Sequence, residues 1–185
     1  GAEKIPRDTK YLLVANHLSN FDPITCISKF GRNDLLFVSK PENFSLPIAG
    51  AWMHHAGFLP IDRENPKNAL VTINKAAEYL KNQQVSVGIF PEGTRNKVDE
   101  MMPFKEGSLK MAEKTGCLVI PVALSNTAEI FENHIPWLRP CKVVIEYGTP
   151  IDPKTLSRQE VKHLGAMCRD KIQEMLEKNK SLIEK

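Results

Sequence analysis

The chain has 185 residues, enough for one domain with a real hydrophobic core and too few for two of ordinary size. Its 42% hydrophobic and 25% charged residues exclude a disordered or low-complexity protein. A net charge of +3 is too small to argue for a nucleic-acid partner, although it suits a protein working beside anionic lipid or phosphate.

In chain order, Tyr11 to Ala15 reads as a buried strand. The turn Asn16-His17-Leu18-Ser19-Asn20-Phe21-Asp22 follows it, and Asp22-Pro23 looks like an N-cap with proline in the first helical turn. Leu35 to Val38 is a second strand. Phe44 to Met53 is apolar almost throughout, and burial in the core is the default expectation, with the wall of a lipid groove as the alternative. Gly57 to Arg63 is an apolar run ending in the charge pair Asp62-Arg63. Asn65-Pro66 then opens a helix with Ala69, Ile73, Ala76 and Leu80 on one face. Val85 to Phe90 is a third strand, running into Pro91-Glu92-Gly93-Thr94-Arg95.

Lys105 to Lys114 is predicted helical, with Gly116 as its stop. Leu118 to Leu124 is a strand interrupted by Pro121, which marks a bulge, a close approach or a sheet edge. Lys142 to Tyr147 is the fifth strand. From about Arg158, the stripe Val161, Leu164, Cys168, Ile172 and Met175 predicts a helix packed across the sheet, with its last few residues frayed. No repeat or linker divides the chain, so residues 1–185 are expected to form a single domain. The alternation of strands and helices predicts an α/β fold with a mostly parallel or mixed central sheet flanked by helices.

Cys26, Cys117, Cys141 and Cys168 are scattered without a Cys-x-x-Cys pair, which suits free thiols in a reducing compartment. No window reaches the length of an apolar membrane span, and Gly1 to Lys10 has no secretory pattern. The expected location is therefore cytoplasmic, with contact to a membrane only at its surface.

A His five residues before an Asp at a strand-to-helix turn can pair imidazole with carboxylate. A neutral His17 could then take the proton of an attacking hydroxyl, with Asp22 fixing its tautomer. Ser19 lacks the Gly-x-Ser-x-Gly surroundings of a nucleophile elbow and reads as a turn residue. In the second group, Gly93 allows close backbone approach, Thr94 offers a hydroxyl, and Arg95 supplies a planar fork suited to phosphate. Glu92 could orient that arginine or hold an acceptor hydroxyl, and a plain turn with a local Glu–Arg pair is the alternative. Arg63 could be a second phosphate ligand. The adjacent His54 and His55 read as structural, and Lys40 and Lys105 as solvated surface lysines near these groups.

Four segments together resemble the glycerolipid acyltransferase family, in particular its 1-acylglycerol-3-phosphate (lysophosphatidate) branch. These are Asn16 to Asp22 (Asn-His-x-x-x-x-Asp), Gly57 to Arg63, Glu92 to Arg95 (Glu-Gly-Thr-Arg), and Val119 to Ala123 with its proline, all in the family's order. The resemblance implies His17 as general base oriented by Asp22, with no acyl-enzyme. It implies Arg63, Glu92, Gly93, Thr94 and Arg95 as the residues holding the acceptor. The donor would be a thioester of acyl carrier protein or CoA, the acceptor a lysophospholipid, and no metal or cofactor would be needed. Members often carry apolar segments before the first block, and only fifteen residues precede Asn16 here. The expectation is a trimmed domain, or one that docks on the membrane through its own surface apolar groups. Rival expectations are another acceptor (glycerol 3-phosphate, another lysophospholipid or a lipid A precursor), a hydrolase using water, and a non-catalytic anionic-lipid-binding module.

Overall fold

Five consecutive apolar residues, Tyr11 to Ala15, leave no polar side for solvent, and such a strand is stable only with both faces covered. In the computed structural model, which describes residues 1–28, 35–96, 101–105 and 107–183, this run is strand β1 (Tyr11–Ala15), buried at every position. The sheet is completed by β2 (Leu35–Ser39), β3 (Leu59–Pro60), β4 (Ser86–Ile89), β5 (Leu118–Ser125) and β6 (Val144–Tyr147). The strand order is β3-β2-β4-β1-β5-β6. All pairings are parallel except β5 with β6, which is antiparallel. The expected α/β fold with a mostly parallel, mixed sheet is therefore the observed one.

Six α-helices accompany the sheet in the described residues: α1 (Asp22–Ser28), α2 (Ala49–His55), α3 (Pro66–Lys81), α4 (Lys110–Thr115), α5 (Arg158–Lys162) and α6 (Leu164–Ile183). Asn65 caps α3 by accepting from the amides of Lys67 and Asn68, and its predicted face deepens from half-buried Ala69 and Ile73 to buried Ala76 and Leu80. The stripe Leu164, Cys168, Ile172 and Met175 buries α6 against β5 and β6, as its spacing predicts.

Three local expectations need correction. The helix predicted from Lys105 begins only at Lys110, because Gly107 adopts φ 82° and leaves turns before α4; Glu106 lies outside the described residues. Gly116, at φ 62°, does end that helix. The tail is two helices separated at His163, and α6 stays helical to Ile183, with Glu184 and Lys185 outside the described residues. The apolar segment Phe44 to Met53 is mostly at the surface, not in the core. A seven-residue helix at the β2–β3 side buries one narrow stripe, here Gly50 and Met53, which leaves Leu46, Ile48 and Trp52 exposed.

Pro121 sits inside the sheet, between β1 and β6. The antiparallel pairing skips there: Val122 faces Tyr147 but Val119 faces Ile151, so the outer strand carries one extra residue. Gly148 closes the irregularity by donating to the Pro121 carbonyl at 2.9 Å, and a Cβ on Gly148 would lie 2.9 Å from the proline ring. Pro121 thus marks a bulge with a close approach, and the sheet-edge alternative falls away.

Candidate active site

β1 lies between β4 and β5 and runs parallel to both, so the loops leaving their carboxyl ends emerge side by side, about 5 Å from one strand to the next. This topology brings the first, third and fourth sequence blocks together. Asn16, at the end of β1, donates its side-chain N–H to the Leu124 carbonyl (2.9 Å) and accepts from the Leu124 amide (2.8 Å). The pair extends the β1–β5 ladder by one side chain and fixes where the next residue starts.

That residue is His17. Its Nδ1 lies 2.8 Å from Asp22 Oδ2, the pairing expected from their spacing. The same oxygen accepts from the amides of Leu18 (2.7 Å) and Ser19 (2.8 Å), so three donors converge on it. Asp22 is fully buried, and its second oxygen has no partner among the described residues. With a carboxylate as its neighbour, Nδ1 is the protonated nitrogen and Nε2 carries the lone pair. The imidazole stacks on Phe90 at 4.2 Å, and Phe90 stacks on Phe37 at 5.2 Å. Ser19 is buried, and its hydroxyl accepts from the Phe21 amide, so it is a turn residue as expected.

The backbone of His17 is gripped from the neighbouring loop. Glu92 Oε1 accepts from the His17 amide (2.9 Å) and Oε2 from the Met102 amide (2.9 Å). The His17 carbonyl accepts from the Asn96 amide (2.6 Å). Glu92 is 1% exposed, and burial pushes its carboxyl above the ordinary value of 4.5, against the opposing pull of those two amide bonds. The expectation that Glu92 orients Arg95 is corrected: its two oxygens accept main-chain amides and tie the loops together.

Arg95 pairs instead with Glu132 Oε1 at 3.0 Å, and the same oxygen accepts from the Asn20 amide at 2.8 Å. Nothing in the sequence marks Glu132, which comes from a short 3₁₀ turn 37 residues beyond Arg95. Arg63 donates through Nη1 to the Gly93 carbonyl, joining the second block to the third, and burial lowers its pKa. Gly93 has φ 76°, and a Cβ there would lie 2.5 Å from Lys105 Cε. Lys105 is exposed overall, yet its aliphatic chain covers Gly93, and its amide donates to the Pro91 carbonyl. Thr94 is exposed at the mouth. Lys40 and His54–His55 are also exposed, and His54 meets Phe44 edge-on.

Three of the four thiols are buried and offer no rival nucleophile, Cys141 alone being exposed. Burial raises Cys26 and Cys117 and pushes Cys168 up to about 12, which keeps these three protonated. The arrangement therefore combines an imidazole base, a buried carboxylate behind it, and two arginines beside a glycine turn.

Comparison with known proteins points to one enzyme family. The family model described as Acyltransferase matches residues 1–125. The chain is 32% identical, over 96% of its length and 70% of the relative's, to the 1-acyl-sn-glycerol-3-phosphate acyltransferase of Borreliella burgdorferi. The enzyme of the same name from Escherichia coli is 31% identical, over 94% of this chain and 70% of that protein. In structure the chain is similar to the 1-acyl-sn-glycerophosphate (LPA) acyltransferase PlsC from Thermotoga maritima, with a TM-score of 0.81 and 30% identity, covering 97% of this chain and 70% of that one.

Proposed function

The chain belongs to the acyltransferase family and is an enzyme of that class, and from this premise we propose that it acylates the sn-2 hydroxyl of 1-acyl-sn-glycerol 3-phosphate to give phosphatidate. The observation that carries the proposal is the His17 Nδ1 to Asp22 bond, which turns the lone pair of Nε2 toward any incoming proton, in a site flanked by Arg63 and Arg95. The acceptor preference is supported by the names of the relatives in bacteria and by that of the Thermotoga structure.

In the proposed reaction the acceptor's hydroxyl gives its proton to His17 Nε2 as its oxygen attacks the thioester carbonyl. Asp22 stabilises the imidazolium that forms. Collapse of the tetrahedral intermediate breaks the carbon–sulfur bond, and the imidazolium returns its proton to the departing thiolate. The products are phosphatidate and the free thiol of acyl carrier protein or CoA, and no acyl-enzyme is needed. Arg63 and Arg95 supply the positive charge for the acceptor's phosphate, with the Gly93 turn and the Thr94 hydroxyl at its side. Glu92 supports this loop rather than touching substrate. The acyl carrier is a substrate, and the chemistry calls for no metal or cofactor. One domain suffices for these steps, and a lipid acceptor suits work at the cytoplasmic face of a membrane.

The test is incubation with lysophosphatidate and either acyl-CoA or acyl carrier protein thioester, following phosphatidate by mass spectrometry beside glycerol 3-phosphate as rival acceptor. Phosphatidate that disappears in His17→Ala is the expected result. Acyl transfer only to glycerol 3-phosphate would overturn the acceptor assignment, and undiminished turnover in His17→Ala would overturn the base.

A further inference from the structure

We propose that Glu132 is a positioning residue for the acceptor, acting through Arg95: it holds the guanidinium that meets the phosphate at a set place relative to the turn that carries His17. The inference rests on the reading above that a phosphate-bearing acceptor is acylated, and it adds what fixes the span between phosphate and base.

Glu132 comes from the short 3₁₀ turn Glu132–His134, in the loop after β5. Its Oε1 accepts from Arg95 Nη1 at 3.0 Å and from the Asn20 amide at 2.8 Å. Asn20 belongs to the turn between β1 and α1, which also holds His17, while Arg95 follows β4. A single oxygen from a third loop therefore joins the turn that supplies the base to the turn that supplies the cation. Two bonds meeting at one atom leave little play between them.

The joint works only if Glu132 is itself fixed, and its loop is held from several sides. The His134 amide donates to the Phe131 carbonyl at 2.9 Å, and the Arg139 amide to the Ile130 carbonyl at 3.0 Å. Glu129 takes the Asn133 side-chain N–H on one carboxylate oxygen and pairs with His134 Nε2 through the other. The Phe131 ring meets Phe21 edge-on with centroids 6.0 Å apart, which packs this loop onto the turn after β1. Glu132 Oε2 is buried and has no partner among the described residues, so the pairing with Arg95 is what compensates the carboxylate's charge.

Arg95 is the end that needs holding. Its side chain is 39% exposed against 14% for Glu132. Arginine is long and carries much rotamer entropy, so an unheld guanidinium would meet a phosphate in many poses. Held beforehand, its planar fork presents one. The carboxylate also offsets part of Arg95's charge, so the pair offers a phosphate direction more than attraction. Direction matters because the acceptor's hydroxyl must reach His17 Nε2 in a reactive pose, and a misplacement of about 1 Å costs on the order of a hundredfold in rate.

The test is a double-mutant cycle on kcat and KM with lysophosphatidate as acceptor. Glu132→Ala should lower kcat about tenfold while KM changes less than about threefold. In an Arg95→Ala background the same substitution should change kcat less than about twofold, since no guanidinium is left to aim. Two conservative variants read the role even if alanine impairs folding, which thermal unfolding reports. Glu132→Gln keeps an oxygen for both donors and should stay within about threefold of the parent kcat. Glu132→Asp keeps the charge but draws the oxygen back by one methylene, and should lose about as much as alanine. An equal loss of kcat with and without Arg95 would overturn the proposal by making Glu132 merely structural. So would Glu132→Asp at full activity beside an impaired Glu132→Gln, which would assign the effect to charge. A chain that acylates glycerol 3-phosphate instead sinks the acceptor assignment alone, and the same cycle run on that acceptor then decides the role of Glu132. A chain that acylates no phosphate-bearing acceptor sinks both.

Discussion

Two kinds of loop leave the same edge of this sheet. Those after β1 and β4 are tied down: Asp22 and Glu92 are buried, and between them they bind the amides of His17, Leu18, Ser19 and Met102. Those after β2 and β5 turn apolar side chains outward, Leu46, Ile48 and Trp52 in one and Ile135, Trp137 and Leu138 in the other. The contrast separates two physical demands. A general base must be held to within a fraction of an ångström, which takes buried hydrogen bonds. Loops that hold no reacting group need no such precision, and their side chains can stay exposed.

The sharpest way to break the first half of the comparison is His17→Ala. It should lower turnover by about 10²–10⁴-fold while leaving thermal unfolding unchanged, because the ring stacks on Phe90 at a half-buried position rather than filling the core. A tenfold loss or less would mean that another group, or solvent, takes the proton.

Glu92 sharpens it next. Alanine removes the acceptor of two half-buried amides, so stability should fall by roughly 1–3 kcal/mol in urea unfolding. Glutamine keeps one acceptor and turns an N–H₂ toward the other amide, so it should lose about half as much. The raised pKa fixes the sign of the pH effect. A carboxyl that holds its proton more tightly when folded contributes stability that is complete below its ordinary 4.5 and lost as pH rises through the folded value. Glu92→Gln should therefore flatten the dependence of stability on pH just above 4.5. Equal slopes in both proteins would count against the buried, backbone-bonded carboxylate.

Arg95→Ala probes the border between the two regions. It should raise the acceptor KM about tenfold with less change in kcat, since charge-assisted bonds to phosphate are worth about 1.5–3 kcal/mol. A fall in kcat alone would move Arg95 from holding the acceptor to stabilising the transition state. The smallest effect belongs to the outer loops. Ile48→Gly removes the strain at φ 63° and should leave stability in urea unfolding unchanged or up to about 2 kcal/mol higher. Lower stability would show that Ile48 packs against something in the folded chain.

Much of the site was legible because its parts are local. His17 and Asp22 lie on one turn, so their five-residue spacing was enough to expect the bond. Pro121 announced its bulge because proline lacks the N–H that a ladder needs. Glu92 misled for the opposite reason. A motif letter says that a carboxylate is present, not that its partners are main-chain amides 75 and 10 residues away. Glu132 was invisible, since its pairing with Arg95 exists only once β5 has brought its following loop to this edge. Phe44 to Met53 misled through composition: apolar content predicts burial on average, and only the packing of a short helix beside β2 and β3 decides which side chains find cover.

By itself, then, the chain's sequence determined five of the six strands, the helix starts at Asp22 and Pro66, the turn residues and the His–Asp pair, because hydrophobic period, caps and short-range spacing act over a few residues. Tertiary structure alone decided that β1 stands between β4 and β5, that Glu92 holds His17, and that two tryptophan-bearing loops flank the result. Strand order is set by side chains far apart in sequence competing to bury the same apolar faces, and no local pattern encodes which of them will meet.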